Sequence, residues 1–111
     1  MAVDQTKVID FVGVDKSTGE VVLTIADHME WKDSENHQLI LQAKINSYLA
    51  FIESGEIFKS YPDSRGRQPV ISILGQFLPD TRGHEFLSKV KAAVEDAGIG
   101  FRFVLFAPGP Q

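Results

Sequence analysis

The residues best suited to chemistry lie in one run of the chain, from Asp27 to His37. It contains four carboxylates and two of the three histidines. Imidazole and carboxylate groups are ligands for zinc, manganese or iron, and they also act as general acids and bases. We therefore expect any binding or reactive site to lie in this run. The candidate binding residues are Asp27, His28, Glu30, Trp31 and His37.

The run nevertheless matches no established site signature. His28-Met29-Glu30 has the His-x-Glu spacing of zinc deaminases, but their Cys-x-x-Cys half is impossible in a chain without cysteine. The sequence also lacks a His-Glu-x-x-His helix, a Gly-x-Ser-x-Gly turn and the glycine loops that bind phosphate. We expect no cofactor and no metal. If a metal binds, the candidate ligands are His28, Glu30 and His37.

Much of this polarity is explained by a strand that ends and a helix that begins. Asp33 or Ser34 is the natural N-cap, because its side-chain oxygen can accept from backbone N–H groups that lack an intrahelical partner. Glu35 then lies in the first turn, where the helix dipole favours a negative charge. If the preceding strand continues through the run, its alternation places Asp27 and His28 on opposite faces.

Two further features admit both a structural and a functional interpretation. Trp31 is the only tryptophan; we interpret it as a core residue over the sheet edge, with a ligand-stacking surface as the alternative. Gln42, Asn46 and Glu53 lie near one another on one flank of the following helix. An ordinary solvated helix face is the expected interpretation, and a polar recognition strip is the alternative.

Composition limits the class of protein. The chain has 111 residues, a mass of 12.3 kDa and 43% hydrophobic residues, which suits one globular domain over residues 1–111. No signal peptide is visible at the N-terminus, and no apolar stretch approaches the roughly 20 residues that span a bilayer. We expect a cytoplasmic protein without a membrane partner. The net charge of −4 argues against nucleic acid as a partner.

Hydrophobic periodicity predicts the order ββαβαβ. The predicted elements are a hairpin of strands 8–14 and 20–26, a helix 34–54, a strand 70–74, a helix from Asp80 or Thr81 to Gly98, and a strand 101–106. Residues 56–69 are rich in proline, glycine and serine, which predicts an exposed irregular loop. The first helix should bury a stripe formed by Leu41, Ile45, Tyr48, Leu49 and Ile52.

These elements indicate an α+β fold, a two-layer sandwich with two helices on one face of a four-stranded mixed sheet. The third strand, second helix and fourth strand form a βαβ unit, which should be parallel with a right-handed crossover. Two helices can cover only one face. The other face is predicted to carry Val8, Val12, Val14, Val22, Val104 and Phe106. An apolar surface of this kind marks an interface, so we predict a homodimer packed through this face or through an edge strand.

Three segments, residues 9–15, 25–31 and 44–55, resemble a family of small uncharacterised bacterial proteins classed as a domain of unknown function. The resemblance implies a stand-alone bacterial protein with no established activity, and it assigns no functional residues. Two functions remain open. The first is a non-catalytic binding or protein-interaction module that acts as a homodimer and has a protein as its candidate partner. The second is a small metal-dependent or acid–base enzyme centred on the Asp27–His37 run.

Overall fold

A computed structural model describes residues 9–106 of the protein. Its elements are β1 (Phe11–Val14), β2 (Val21–Asp27), α1 (Ser34–Glu53), α2 (Glu56–Ser60), a 3-10 turn (Pro62–Ser64), β3 (Pro69–Gly75), α3 (Thr81–Asp96) and β4 (Gly100–Leu105). The predicted order of strands and long helices is confirmed, with α2 as an addition. No helix in this part of the chain is long and apolar enough to cross a membrane.

The hairpin turn is stabilised by hydrogen bonds between its own side chains and backbone groups. The Asp15 carboxylate accepts from the N–H and the hydroxyl of Ser17 at 2.9 and 2.7 Å, and these bonds lower the pKa of Asp15. Gly19 closes the turn with a φ of +79°, a conformation that glycine adopts without steric cost. The turn sets the register of the hairpin, which places Val12 opposite Leu23 and Val14 opposite Val21.

The strands form one mixed sheet in the order β1-β2-β3-β4. The β1–β2 pair is antiparallel, whereas β2–β3 and β3–β4 are parallel. Each parallel pair therefore needs a crossover, supplied by α1 and by α3. Both helices contribute to the same hydrophobic core and contact each other. The predicted α+β fold with a four-stranded mixed sheet is confirmed, and the β3–α3–β4 unit is parallel as expected.

One face of the sheet carries the core. Its fully buried members are Val21, Leu23 and Ile25 of β2 and Ile71 and Ile73 of β3. The prediction that Val12 and Val14 lie on the opposite, uncovered face is wrong. Because both faces of β1 are apolar, only its pairing with β2 determines which face joins the core. These two valines are paired with buried core residues. Val8, also assigned to that face, lies outside the described residues.

The buried stripe of α1 is more polar than its sequence pattern indicates. The side chains directed at the sheet recur at three- and four-residue spacing: Ser34, His37, Leu41, Lys44 and Tyr48. Ile45 is also buried, but Leu49 and Ile52 are only partly buried at the flank of the core. The predicted stripe is therefore wrong at these last two positions. It also omits His37 and Lys44, whose side chains are fully buried.

Lys44 and Tyr48 connect α1 to the hairpin. The Lys44 Nζ lies 3.1 Å from the Asp10 Oδ1, and both side chains are fully buried. The Tyr48 hydroxyl donates to the Thr24 carbonyl at 2.8 Å and accepts from the Asp10 N–H at 2.9 Å. Burial raises the pKa of Tyr48 well above its usual value, so the phenol remains neutral. These bonds hold the entrance to β1 against α1.

The segment between α1 and β3 is more regular than predicted. Gly55 ends α1 with a φ of +82°, and α2 follows directly, with Ile57 buried in the core. The Arg67 guanidinium donates to the carbonyls of Asp63 and Gly19 at 2.9 and 3.0 Å. The prediction of an irregular loop is therefore wrong for α2, which Ile57 anchors in the core, and for the 3-10 turn.

The buried Lys44–Asp10 pair generates a stability prediction. Replacement of Lys44 by methionine keeps most of the side-chain volume but leaves the Asp10 carboxylate buried without its cation. We expect a loss of about 3–5 kcal/mol in the free energy of unfolding, measured by urea denaturation. Lys89→Met, at an exposed position of α3, is the control and should change stability by less than about 0.5 kcal/mol. Equal effects of the two variants would contradict the described pair.

Candidate functional site

Asp27 is the last residue of β2 and lies on the core face, opposite to His28 as predicted. Strand alternation places it after Leu23 and Ile25, and it is only 2% exposed. Its Oδ2 lies 2.7 Å from the His37 Nε2, while its Oδ1 accepts from the Met29 N–H at 3.1 Å. The carboxylate is thus removed from water but bound by two polar neighbours, which is what a buried charge requires.

The start of α1 brings His37 to this carboxylate. Asp33 is the N-cap, since its side chain accepts from the Asn36 N–H at 3.3 Å. A helix that begins there turns His37 towards the sheet, where its side chain is fully buried. The imidazole therefore meets Asp27 across ten residues of sequence.

Trp31 covers the imidazole. The two ring centroids are 3.8 Å apart with an interplanar angle of 34°. On α3, a β-carbon at Gly83 would lie 2.9 Å from the indole, so only glycine permits this approach. Trp31 is 6% exposed and belongs to the hydrophobic core. We refer to Asp27, Trp31 and His37 as the buried cluster.

The other two candidate residues do not join the buried cluster. His28 and Glu30 are exposed, and the Glu30 carboxylate lies 3.8 Å from the Lys32 ammonium. The conditional metal ligands His28, Glu30 and His37 are therefore not brought together. Within residues 9–106, no group of three or more histidine, aspartate or glutamate side chains is placed to hold a metal ion.

The buried cluster contains the carboxylate–imidazole pair of an acid–base site, but a substrate cannot reach it in this conformation. A histidine bonded to a carboxylate is the arrangement that orients a general base. A working base also needs a second nitrogen that reaches substrate. The Nδ1 of His37 is buried and has no hydrogen-bond partner among the described residues, and the same holds for the Nε1 of Trp31. In this conformation the cluster joins β2 to α1 and presents no reactive atom to solvent.

A groove between α1 and α3 is the first of three surface features of the fold, and the sequence did not predict its position. It has a volume of about 320 Å³. Gln42 and Asn46 line one wall and Lys89 lines the other, above an apolar floor that includes Ile45 and Val94. Two members of the predicted polar strip thus line one groove, but Glu53 does not. Periodicity places residues on a helix face and cannot show which second helix lies beside it.

The second feature is the face of the sheet opposite the helices, which we call the open face. Cross-strand pairing gives three rows: Gly13-Val22-Val70-Gly100, Phe11-Thr24-Ser72-Arg102 and Ala26-Leu74-Val104. Phe11 and Val104 are 50% and 44% exposed, and Phe106, just beyond β4, is 48% exposed. Val22, Val104 and Phe106 were assigned to this face from the sequence. Phe11 was not, because the parity of β1 was assigned incorrectly.

The model of a family of unknown function (DUF6572) matches residues 1–107. The chain belongs to this family. No curated protein and no solved structure matches it. The resemblance to a domain of unknown function is thereby confirmed, whereas bacterial origin stays a prediction. Membership in DUF6572 assigns no role to any residue, so the function of this DUF6572 protein has to be argued from its own geometry.

The buried cluster generates the second prediction. Asp27→Ala leaves the His37 Nε2 and the Met29 N–H without their acceptor, and we expect a loss of about 3 kcal/mol in the free energy of unfolding. Because Trp31 is the only tryptophan and packs on His37, its emission spectrum should also change in the folded variant. Urea denaturation followed by fluorescence measures both effects.

His28→Ala is the matched control for this prediction, because His28 is adjacent in sequence but exposed. It should leave both the emission spectrum and the stability unchanged within about 0.5 kcal/mol. A fully stable Asp27→Ala protein with an unaltered spectrum would show that the cluster does not form.

Proposed function

We propose that the protein is a non-catalytic interaction module that acts as a homodimer in the bacterial cytoplasm. The open face is the observation that carries this proposal. Both long helices pack on the other face, and no described element covers this one. Phe11, Val104 and Phe106 thus expose large apolar side chains on one surface of a 12.3 kDa chain. Large apolar side chains exposed on one face of a sheet are typical of protein interfaces.

The surface shape of the open face favours a second copy of the chain as its binding partner. Its middle is low, because small side chains such as Thr24 and Ser72 lie between the aromatic margin at Phe11 and the Val104 margin. A shallow depression of about 380 Å³ lies over Val22 and Thr24. Two sheets that pack face to face interdigitate their side chains. A two-fold arrangement could therefore set the partner's Phe11 above the small residues of this depression.

The charges on the open face are compatible with burial in such an interface. Arg102 is the one cation in the three rows, and its Nη1 lies 3.8 Å from the Glu20 carboxylate. Its field also contributes to the lowered pKa of Asp15. The face therefore carries its own balancing charges. A two-fold interface repeats the same patch on both protomers, so this local balance avoids repulsion between copies.

An acid–base enzyme is the second candidate, and the Asp27–His37 bond of 2.7 Å is the observation in its favour. The geometry supports it less well, because Trp31 would have to move before the His37 Nδ1 could meet a substrate. Elemental analysis tests the metal-dependent version. Near-stoichiometric zinc, manganese or iron in protein purified without a histidine tag, lost in His28→Ala, would favour the enzyme.

Sedimentation tests the homodimer. We expect the protein at micromolar concentration to sediment at about twice 12.3 kDa. Val104→Glu places a charge on the open face and should convert the dimer to the monomer, because an unpaired carboxylate would be buried in the interface. Circular dichroism should show that the variant keeps its fold, since the Val104 side chain is exposed in the monomer and is not part of the core.

Leu39→Glu is the matched control for the sedimentation experiment. Leu39 is an exposed apolar residue of α1, 62% exposed and on the helical layer, so the same change of charge there should leave the dimer intact. A wild-type protein that sediments only as a 12.3 kDa species would refute the homodimer.

A further inference from the structure

The outer edge of β4 is the third surface feature. β4 is the last strand of the sheet, and among residues 9–106 no strand pairs with its outer side. The Phe106 N–H donates to the Gly75 carbonyl at 2.7 Å, so the even-numbered residues of this segment direct their backbone groups towards β3. Alternation then directs the backbone N–H and C=O groups of Phe101, Phe103 and Leu105 outwards. These groups can pair with a further strand.

A groove lies along this edge, between β4 and α3, with a volume of about 370 Å³. We call it the edge groove. On the α3 side it is lined by His84, Leu87 and Lys91, whose spacing of three and four residues puts them on one helix face. On the β4 side it is lined by Phe101, Arg102 and Phe103. A strand added to β4 would thus have its side chains beside an aromatic surface and a helix.

The edge groove is basic although the chain is acidic. His84, Lys91 and Arg102 line it, and no aspartate or glutamate of residues 9–106 does, whereas the chain as a whole has a net charge of −4. Glu20 approaches Arg102 only to 3.8 Å, and the Arg102 side chain remains 43% exposed. Arginine has five N–H donors, so it can bind a second carboxylate. The charge of the groove fits an anionic partner.

We propose that the edge groove binds an extended acidic peptide segment of another protein, which adds to β4 as a fifth strand. In this recognition mode the backbone hydrogen bonds provide affinity and alternate side chains provide specificity. On the α3 side of the added strand, a carboxylate of the peptide pairs with Lys91 and an apolar side chain packs on Phe103. On the opposite side of the strand, a second carboxylate lies beside Arg102.

A second copy of the chain fits this edge less well than an acidic peptide. Pairing of β4 with its own copy would bring two sets of the same basic side chains together, and like charges on paired strands are destabilising. Dimerisation through the open face leaves the backbone edge of β4 and the α3 side of the edge groove unpaired in each protomer, although Arg102 also borders the open face. The inference rests on the proposed role as an interaction module and names its partner, but it does not depend on the homodimer.

The test uses a fluorescein-labelled peptide of about ten residues, enough for one strand. Its glutamates stand at both odd and even positions among valine and threonine residues, so that each face of the added strand carries carboxylates. Fluorescence anisotropy should show saturable binding that weakens with added salt. Lys91→Glu should lower the affinity about tenfold or more. Lys89→Glu is the matched control, since it makes the same change two residues away but lines the groove between α1 and α3; it should alter the affinity less than about twofold.

Two further arms test strand addition itself. Methylation of the peptide nitrogens that face β4 should abolish binding, because it removes their donors while keeping every charge. Leu105→Pro removes an outward donor from β4 and should weaken binding more than Leu105→Ala, which shortens the same side chain. Unchanged binding of the methylated peptide would overturn the proposal and leave only charge attraction.

Three further outcomes also support or overturn the proposed peptide binding. Binding of oligothymidine with the same dependence on Lys91, and no binding of the peptide, would assign the groove to nucleic acid and overturn the proposal. A protein that sediments as a dimer but does not bind the peptide refutes this inference alone. A monomeric protein that binds the peptide with the expected Lys91 and methylation effects supports it without the homodimer.

Discussion

The placement of α1 on the sheet depends on directional bonds from polar side chains that are themselves buried. His37 bonds to the end of β2 at Asp27, and Tyr48 bonds to the carbonyl of Thr24 earlier in the same strand. Apolar contact alone is non-directional and would allow a helix to slide or rotate on the sheet. Two bonds to one strand, separated by eleven residues or about 16 Å of helix, fix both the direction and the rotation of α1.

This arrangement affects the functional interpretation of the ionisable residues. A bonded carboxylate and imidazole with no exposure resemble an acid–base pair, but exclusion of water from both is also what allows them to hold two elements together. Removal of one partner would leave the other uncompensated in the core. The loss of any activity on substitution of Asp27 or His37 would therefore follow from a smaller folded population and would not identify a catalytic group.

Local rules account for what the sequence predicted well. The hairpin turn, the helix cap predicted at Asp33 or Ser34, and the opposite orientations of Asp27 and His28 each depend on a few adjacent residues. The structure has all three, with the cap at Asp33. The face of β1 could not be predicted in this way. Both faces of that strand are apolar, so only the pairing of Val12 with Leu23 determines which face enters the core. The burial of His37 and Lys44 was missed for a related reason. Hydrophobic periodicity counts such residues as polar, and their partners are distant in sequence.

The same distinction between features set by adjacent residues and features set by distant partners applies to the candidate site. The sequence indicated the correct segment, but its candidate residues also included His28 and Glu30, which are exposed, and did not distinguish Asp27, which is the centre of the buried cluster. The surfaces with apolar side chains or backbone hydrogen-bonding groups available to a partner lie elsewhere, on the open face and at the β4 edge. Strand alternation predicted the open face only in part, at Val22, Val104 and Phe106. The edge groove has no local signature, because it is formed by a strand and the helix beside it. In this fold the buried ionisable residues hold α1 in place, so binding of partners falls to strand edges and apolar faces. Such surfaces contain no reactive side chains by which a sequence pattern could identify them.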